Sequence, residues 1–144
     1  MLRTTIWASL LLLSSMAIES TALADTRGQP GLMIRLGESW IFRIDNGQPV
    51  DTRKVDANAR PVKGEIKLTL VAEFGTTMTV TNNSGRWYNY HAFATAKPGS
   101  EGKRTIVCTM IGDGRSELAR WPDMIPAIRI ADFTETGEWE MICR

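Results

Sequence analysis

The stretch that decides the fold is GEIKLTLVAEF, residues 64–74. From Ile66 to Ala72 every second residue is apolar, and the polar residues Lys67 and Thr69 lie between them. A period of two places the apolar residues on one face of a β-strand and the polar residues on the other. The stretch therefore predicts a strand that is buried on one face and solvated on the other.

The same period recurs along most of the chain, between turn clusters such as NNSG, KPGSEG and TETG. The candidate strands are residues 33–36, 38–45, 64–74, 76–82, 86–95, 103–111, 127–133 and 138–144. No alternation of strands with long helical patterns is present, which argues against βαβ units. The pattern predicts an all-β fold, an immunoglobulin-like antiparallel β-sandwich of about seven or eight strands.

Two segments do not fit this pattern. SELARW, residues 116–121, is expected to be a connection with one helical turn at most, because Pro122 stops it. Residues 45–64 are polar and punctuated by glycine and proline, and two interpretations remain open. They form either a weak edge strand containing Val50 and Val55, or a flap on a rigid scaffold.

The first residues predict export. Arg3 precedes an apolar run, and the small residues Ala22 and Ala24 have the spacing of a signal-peptidase site. We expect residues 1–24 to be a signal peptide cleaved after Ala24, and residues 25–144 to form a single β-sandwich domain. The apolar run is shorter than the roughly 20 residues that span a bilayer. The expected location is the periplasm or the extracellular medium, with no membrane association after cleavage.

Cys108 and Cys143 are the two cysteines of the chain. In an exported protein an even number of cysteines indicates a disulfide, and two cysteines allow one intramolecular pairing. The bond closes a loop worth roughly 4 kcal/mol in the chain-entropy model.

The formal net charge is +1, and residues of both signs alternate along the chain. This balance gives no electrostatic reason to expect a nucleic acid partner. The sequence contains no P-loop, no dinucleotide fingerprint and no G-x-S-x-G nucleophile motif. With His91 as the single histidine, a zinc site is poorly supported, and we expect neither a metal nor a cofactor.

The stretch TNNSGRWYNYHAFATA, residues 81–96, is the richest in aromatic residues and contains His91. In a strand, residues 87, 89, 91 and 93 share one face, and residues 88, 90, 92 and 94 share the other. We expect Trp87 and Phe93 to face the core and the tyrosines to face water. A second interpretation is a central strand whose outer face is covered. The candidate binding residues are Trp87, Tyr88, Tyr90, His91 and Trp121, the last because it lies in the expected connection before Pro122.

Tryptophans in predicted strands, Trp40 and Trp139, are expected in or near the core. Without a catalytic constellation, the sequence favours a small exported binding or accessory module that is not an enzyme. Its partner would be a protein, a peptide or a glycan. The alternatives are an inhibitor or immunity-type protein that blocks a secreted or periplasmic enzyme, and an enzyme with an unrecognised site around His91.

Overall fold

A computed structural model describes residues 29–97 and 100–144 of the chain. These residues form nine β-strands and no helix. The strands are β1 Leu32–Arg35, β2 Ser39–Asp45, β3 Gln48–Val55, β4 Ile66–Val71, β5 Thr76–Asn82, β6 Trp87–Thr95, β7 Lys103–Thr105, β8 Ser116–Trp121 and β9 Ala127–Thr136. The predicted signal peptide and its cleavage site after Ala24 lie outside the described residues. The described part of the chain contains no helix that is long and apolar enough to cross a membrane.

The strands form two antiparallel sheets. One sheet has four strands in the order β1-β9-β6-β7, and the other has five in the order β3-β2-β4-β5-β8. The apolar faces of both sheets meet in one core cluster, so the predicted all-β sandwich is confirmed. The immunoglobulin-like topology stays a prediction.

The alternating stretch at residues 64–74 contains strand β4, as its pattern predicts. In β4 the side chains of Ile66, Leu68 and Leu70 are fully buried, and the residues between them are half-buried. On the core face of the four-stranded sheet, Phe133 of β9 stacks on Tyr90 of the neighbouring strand β6, with ring centroids 5.7 Å apart. This aromatic pair fixes the face that β6 presents to the five-stranded sheet.

Residues 45–64 contain a strand, so the edge-strand interpretation is correct for β3 and the flap interpretation is wrong there. Asn46 and Gly47 join β2 to β3 with φ of 48° and 74°. Two successive positive φ angles define the hairpin turn that matches the twist of the flanking strands. The rest of the segment folds over the outer face of β4, where Lys67 Nζ donates hydrogen bonds to the carbonyl groups of Ala57 and Ala59.

Three other expectations need correction. SELARW is strand β8, because its pairing with β5 outweighs the helix propensity of leucine, alanine and arginine. The candidate strand 103–111 is regular only over β7, although Met110 still bridges Tyr88. Residues 138–144 form a turn followed by one isolated bridge at Cys143, because Trp139 has a φ of 74° that a strand does not allow.

Candidate functional site

The two faces of β6 are the reverse of those expected. Tyr88 and Tyr90 are 6% and 4% exposed and belong to the core, whereas Trp87 and Phe93 lie on the outer face. The predicted orientation is therefore wrong. A tyrosine ring packs in a core when its hydroxyl reaches a polar rim, and Tyr90 lies beside Glu117 at the side of the sandwich. Burial raises the pKa of the Tyr90 hydroxyl well above its usual value.

The predicted disulfide between Cys108 and Cys143 is confirmed. Beside it, Val107 and Arg144 exchange two backbone hydrogen bonds of 3.1 and 2.9 Å, and the N–H of Thr109 donates to the carbonyl of Ile142. These bonds and the disulfide hold residues 137–144 against the four-stranded sheet, beyond β7. We call residues 137–144 the clamped segment.

Trp139 is the most exposed large apolar residue among those described, at 84%. Its ring leans on Trp87, with centroids 5.9 Å apart and planes at 51°. The turn that carries it is closed by a hydrogen bond of 2.7 Å from Thr136 Oγ1 to Glu140 Oε2. Trp139 itself has a φ of 74°, which is rare for a bulky residue. The clamped segment thus fixes an indole ring in the solvent at a cost in backbone strain.

The two indole rings form one side of a cleft of about 420 Å³, which we call the tryptophan cleft. Its lining residues are Gly85, Trp87, Ile111, Gly112, Asp113, Arg115, Glu138, Trp139 and Met141. Gly112 allows the β7–β8 loop to approach the turn before β6, because a Cβ there would lie 2.5 Å from the carbonyl oxygen of Arg86. The cleft is therefore built by three segments that are distant in sequence.

The charged groups of the tryptophan cleft are partly paired. The backbone N–H of Arg115 donates to Asp113 Oδ1 at 2.9 Å, and its Nε donates to Oδ2 at 2.5 Å. Both bonds lower the pKa of the Asp113 carboxyl, and the backbone hydrogen bond has the larger effect. Glu138 makes no hydrogen bond or ion pair with the other described residues. The cleft thus offers two indole faces, one guanidinium group and one unpaired carboxylate.

A second depression lies at the side of the sandwich, between β8 and residues 106–108. It has a volume of about 340 Å³, and we call it the lateral mouth. Its rim exposes Ile106 by 70%, Leu118 by 57% and Met141 by 57%. Glu117 lines the same mouth, where loss of hydration raises the pKa of its carboxyl. Because Met141 lines both depressions, the apolar surface is continuous from the tryptophan cleft to the mouth.

His91 lies on the outer face of β6 but does not line the cleft. Its Nδ1 is 3.1 Å from Asp132 Oδ2, at a bulge of β9 where Asp132 has a φ of 57°. The ring also meets Phe93 edge-on, with centroids 6.2 Å apart. Among residues 29–97 and 100–144, no hydroxyl or thiol is hydrogen-bonded to His91 and no group of three potential metal ligands occurs. The histidine and aspartate therefore lack the nucleophile that a hydrolytic triad needs.

The structure separates the predicted site residues. Trp87 joins the cleft, whereas Trp121 is half-buried and packs against the core at the far end of β8. Sequence reasoning missed Trp139 as a surface residue, since EWEMICR alternates like a strand. The glutamates on both sides of Trp139 produce this alternation, so the sequence contained no separate signal that the indole is exposed. No protein-family model, curated protein or solved structure matches the chain.

Proposed function

We propose that the protein is a small exported binding module, not an enzyme, and that it contacts its partner through the tryptophan cleft. The observation that carries this proposal is Trp139, a large apolar side chain that is 84% exposed and yet fixed in position. Its ring leans on Trp87, and its segment is tied to the sheet by the disulfide.

An exposed indole in this backbone conformation is costly for a protein that has no use for it. The left-handed conformation costs a residue with a Cβ roughly 1–2 kcal/mol. Backbone strain of this kind concentrates at binding and catalytic sites. A rigid aromatic side chain offers a large contact area and loses little entropy on binding, so exposed tryptophans are common centres of binding energy. The fixed pair of Trp87 and Trp139 meets this description.

Export supports the same proposal. Disulfides persist in the periplasm and outside cells, where thiol-reducing systems do not act, and Cys108 and Cys143 are bonded. The predicted signal peptide agrees with this location. Expression of the full chain with mass determination of the exported product tests it, and a mature N-terminus at Asp25 is the expected result.

The binding test uses the oxidised protein, produced from the full chain, with a photoactivatable crosslinker placed in the tryptophan cleft. Envelope and secreted fractions of the source cells are the prey. We expect Trp139→Ala to abolish the crosslinked product. Phe74→Ala is the matched control, because Phe74 is 83% exposed but lies just before β5, at the end of the sandwich opposite the tryptophan cleft. Equal crosslinking of both variants, or no product from wild type, contradicts the proposal.

One observation favours the inhibitor alternative as a second candidate. At the other end of the sandwich, Phe74 and Met124 are exposed on neighbouring turns. Thr76 braces this end: its Oγ1 donates to the carbonyl of Asp123 at 2.9 Å and accepts the N–H of Ile125 at 2.8 Å. A braced apolar tip is suited to block an enzyme cleft. Inhibition of a secreted or periplasmic hydrolase that is lost in Met124→Ala and kept in Trp139→Ala would support this candidate over the first.

A further inference from the structure

We infer that the ligand of the tryptophan cleft is a neutral glycan, held by stacking of a pyranose ring on the indole faces. This inference rests on the proposed function and names its ligand class. It follows from the shape of the cleft, from the polar groups at its rim and from their charges.

The shape suits a sugar ring. Trp87 and Trp139 present two aromatic planes inclined at 51°, and the C–H faces of a pyranose are flat and apolar enough to pack on such planes. Ile111 and Met141 extend the apolar lining. The volume of about 420 Å³ lies within the range of small-molecule sites, about 300–1,000 Å³. A mono- or disaccharide unit therefore fits the cleft.

The polar groups at the rim keep hydrogen-bonding atoms of both kinds, donors and acceptors, without a partner among the described residues. Arg115 engages Asp113 through its Nε and its backbone N–H, and its two terminal nitrogens have no partner in the part of the chain that the structure describes. The same holds for the carboxylate of Glu138. Outside the cleft, the indole N–H of Trp40, for example, does have a partner, since it donates to Glu38 at 2.9 Å. A sugar hydroxyl both donates and accepts, so a single ligand type satisfies the guanidinium group and the carboxylate together.

The charges argue against other ligand classes. The cleft contains Asp113 and Glu138 against Arg115, so an anionic ligand meets two carboxylates. A cationic ligand is attracted by Glu138 and by the indole faces but repelled by Arg115 in the same cleft, and the charged probes below test this class directly. An apolar peptide side chain would take Arg115 and Glu138 out of water without offering them a hydrogen bond, which is unfavourable. A neutral, hydroxyl-rich ring has none of these costs.

The test is isothermal titration of the oxidised protein with four neutral probes: cellotriose, maltotriose, N,N′,N″-triacetylchitotriose and mannotriose. Choline and a sulfated disaccharide are the charged probes. We expect at least one neutral probe to bind in the micromolar to millimolar range and to shift tryptophan fluorescence. Trp139→Ala and Trp87→Ala should weaken binding by about tenfold or more, as expected for central aromatic contacts. Glu138→Gln should weaken it less, and Phe74→Ala should leave it unchanged.

Glu138→Gln is also the variant that should fold like wild type, since it changes an exposed side chain that has no described partner. A change in its binding therefore reports on the cleft and not on misfolding. If every neutral probe fails at millimolar concentration, or if a charged probe binds instead, the inference is wrong. Binding that Trp139→Ala leaves unchanged also overturns it. If sugars fail while the Trp139-dependent crosslink to a protein persists, the glycan inference falls and the proposed function stands. If neither sugar nor crosslink depends on Trp139, both fall.

Discussion

The two edges of the five-stranded sheet end in different ways. At β3, residues 51–54 are all exposed, Arg53 pairs with the buried carboxylate of Glu65 at 2.9 Å, and Lys54 pairs with Glu38 at 2.9 Å. At β8, Leu118 is exposed beside the lateral mouth. A charged edge strand discourages pairing with another chain, whereas β8 exposes Leu118 between Ser116 and Arg120, and an exposed apolar side chain beside a depression invites contact.

This difference distinguishes a solvated side from the side that we propose for binding, which we call the partner side. Apolar residues scattered singly over a surface need no explanation, but a continuous apolar surface marks an interaction site. On the β8 side the surface runs from the tryptophan cleft through Met141 to the mouth. The same side carries the clamped segment, so the disulfide stabilises the surface that we propose for binding.

The largest effect should come from removing the disulfide. Cys108→Ser with Cys143→Ser opens the loop between two cysteines that are 35 residues apart in the sequence. We expect a loss of about 4 kcal/mol in the free energy of unfolding. Urea denaturation measures the loss, and wild type under strong reductant is the matched control. Acrylamide quenching of Trp87 should increase in the variant. A loss below about 1 kcal/mol would mean that hydrogen bonds alone hold the β8 side.

On the β3 side, Glu65→Gln tests the charged edge. The Glu65 carboxylate accepts hydrogen bonds from Arg53 and from the N–H of Val62, and we expect a loss of about 2 kcal/mol at neutral pH. The hydrogen bond from Arg53 is the main cause that lowers the pKa of Glu65 in the folded protein. Its contribution is therefore complete above the ordinary carboxyl pKa and is lost as the pH falls through the lowered value.

Unfolding experiments over the acid range check this sign. The difference between wild type and Glu65→Gln should be largest near neutral pH and should shrink as the pH falls. A difference that stays constant with pH would show that packing around residue 65, and not its charge, stabilises the β3 edge.

Glu117→Gln on the β8 side should have the opposite sign. Burial is the main cause that raises the pKa of Glu117, and no ion pair offsets it among the described residues. The folded state then binds the proton more tightly than the unfolded state, so stability falls as the pH rises from the ordinary carboxyl pKa through the raised one. We expect the variant to be more stable at neutral pH, by less than about 1 kcal/mol because the group is partly exposed. The gain should vanish in acid. A loss at neutral pH would show that the hydrogen bond of 3.3 Å from the Ile111 N–H to Glu117 Oε2 stabilises the carboxylate more than burial destabilises it.

The fold was predictable where one face of a strand is polar. The alternation from Ile66 to Leu70 has one physical solution, and β4 adopts it. In β6 both faces are apolar or aromatic, so the period alone left the orientation open, and the packing of Phe133 on Tyr90 decides it. β8 escaped prediction because its residues favour a helix in isolation, and the pairing that makes it a strand is with β5, far along the chain.

The site was less predictable than the fold. The cysteine count predicted the disulfide, but it did not show that the bond holds Trp139 beside Trp87. The tryptophan cleft unites residues near positions 87, 113 and 139, and only the tertiary structure brings such positions together. A period-two pattern also hides a residue with positive φ, which is why Trp139 was expected in the core.

The smallest expected effect on stability is the sharpest test of the partner side. Trp139→Gly removes a large aromatic residue, but the side chain is 84% exposed and its φ of 74° suits glycine. Relief of about 1–2 kcal/mol of backbone strain should offset the stacking on Trp87, about 0.5–1.5 kcal/mol, and the entropy cost of glycine, about 0.5–1 kcal/mol. We expect the free energy of unfolding to change by about 0.5 kcal/mol or less.

Trp121→Gly is the matched control, because Trp121 packs against the core and should cost about 3 kcal/mol or more. If Trp139→Gly is as harmful as Trp121→Gly in urea denaturation, then Trp139 is a structural residue and the β8 side is packed for stability. If Trp139→Gly is neutral for folding and harmful for binding, the strain at Trp139 is maintained for the ligand. In that case the two sides of the sheet differ in function as well as in charge.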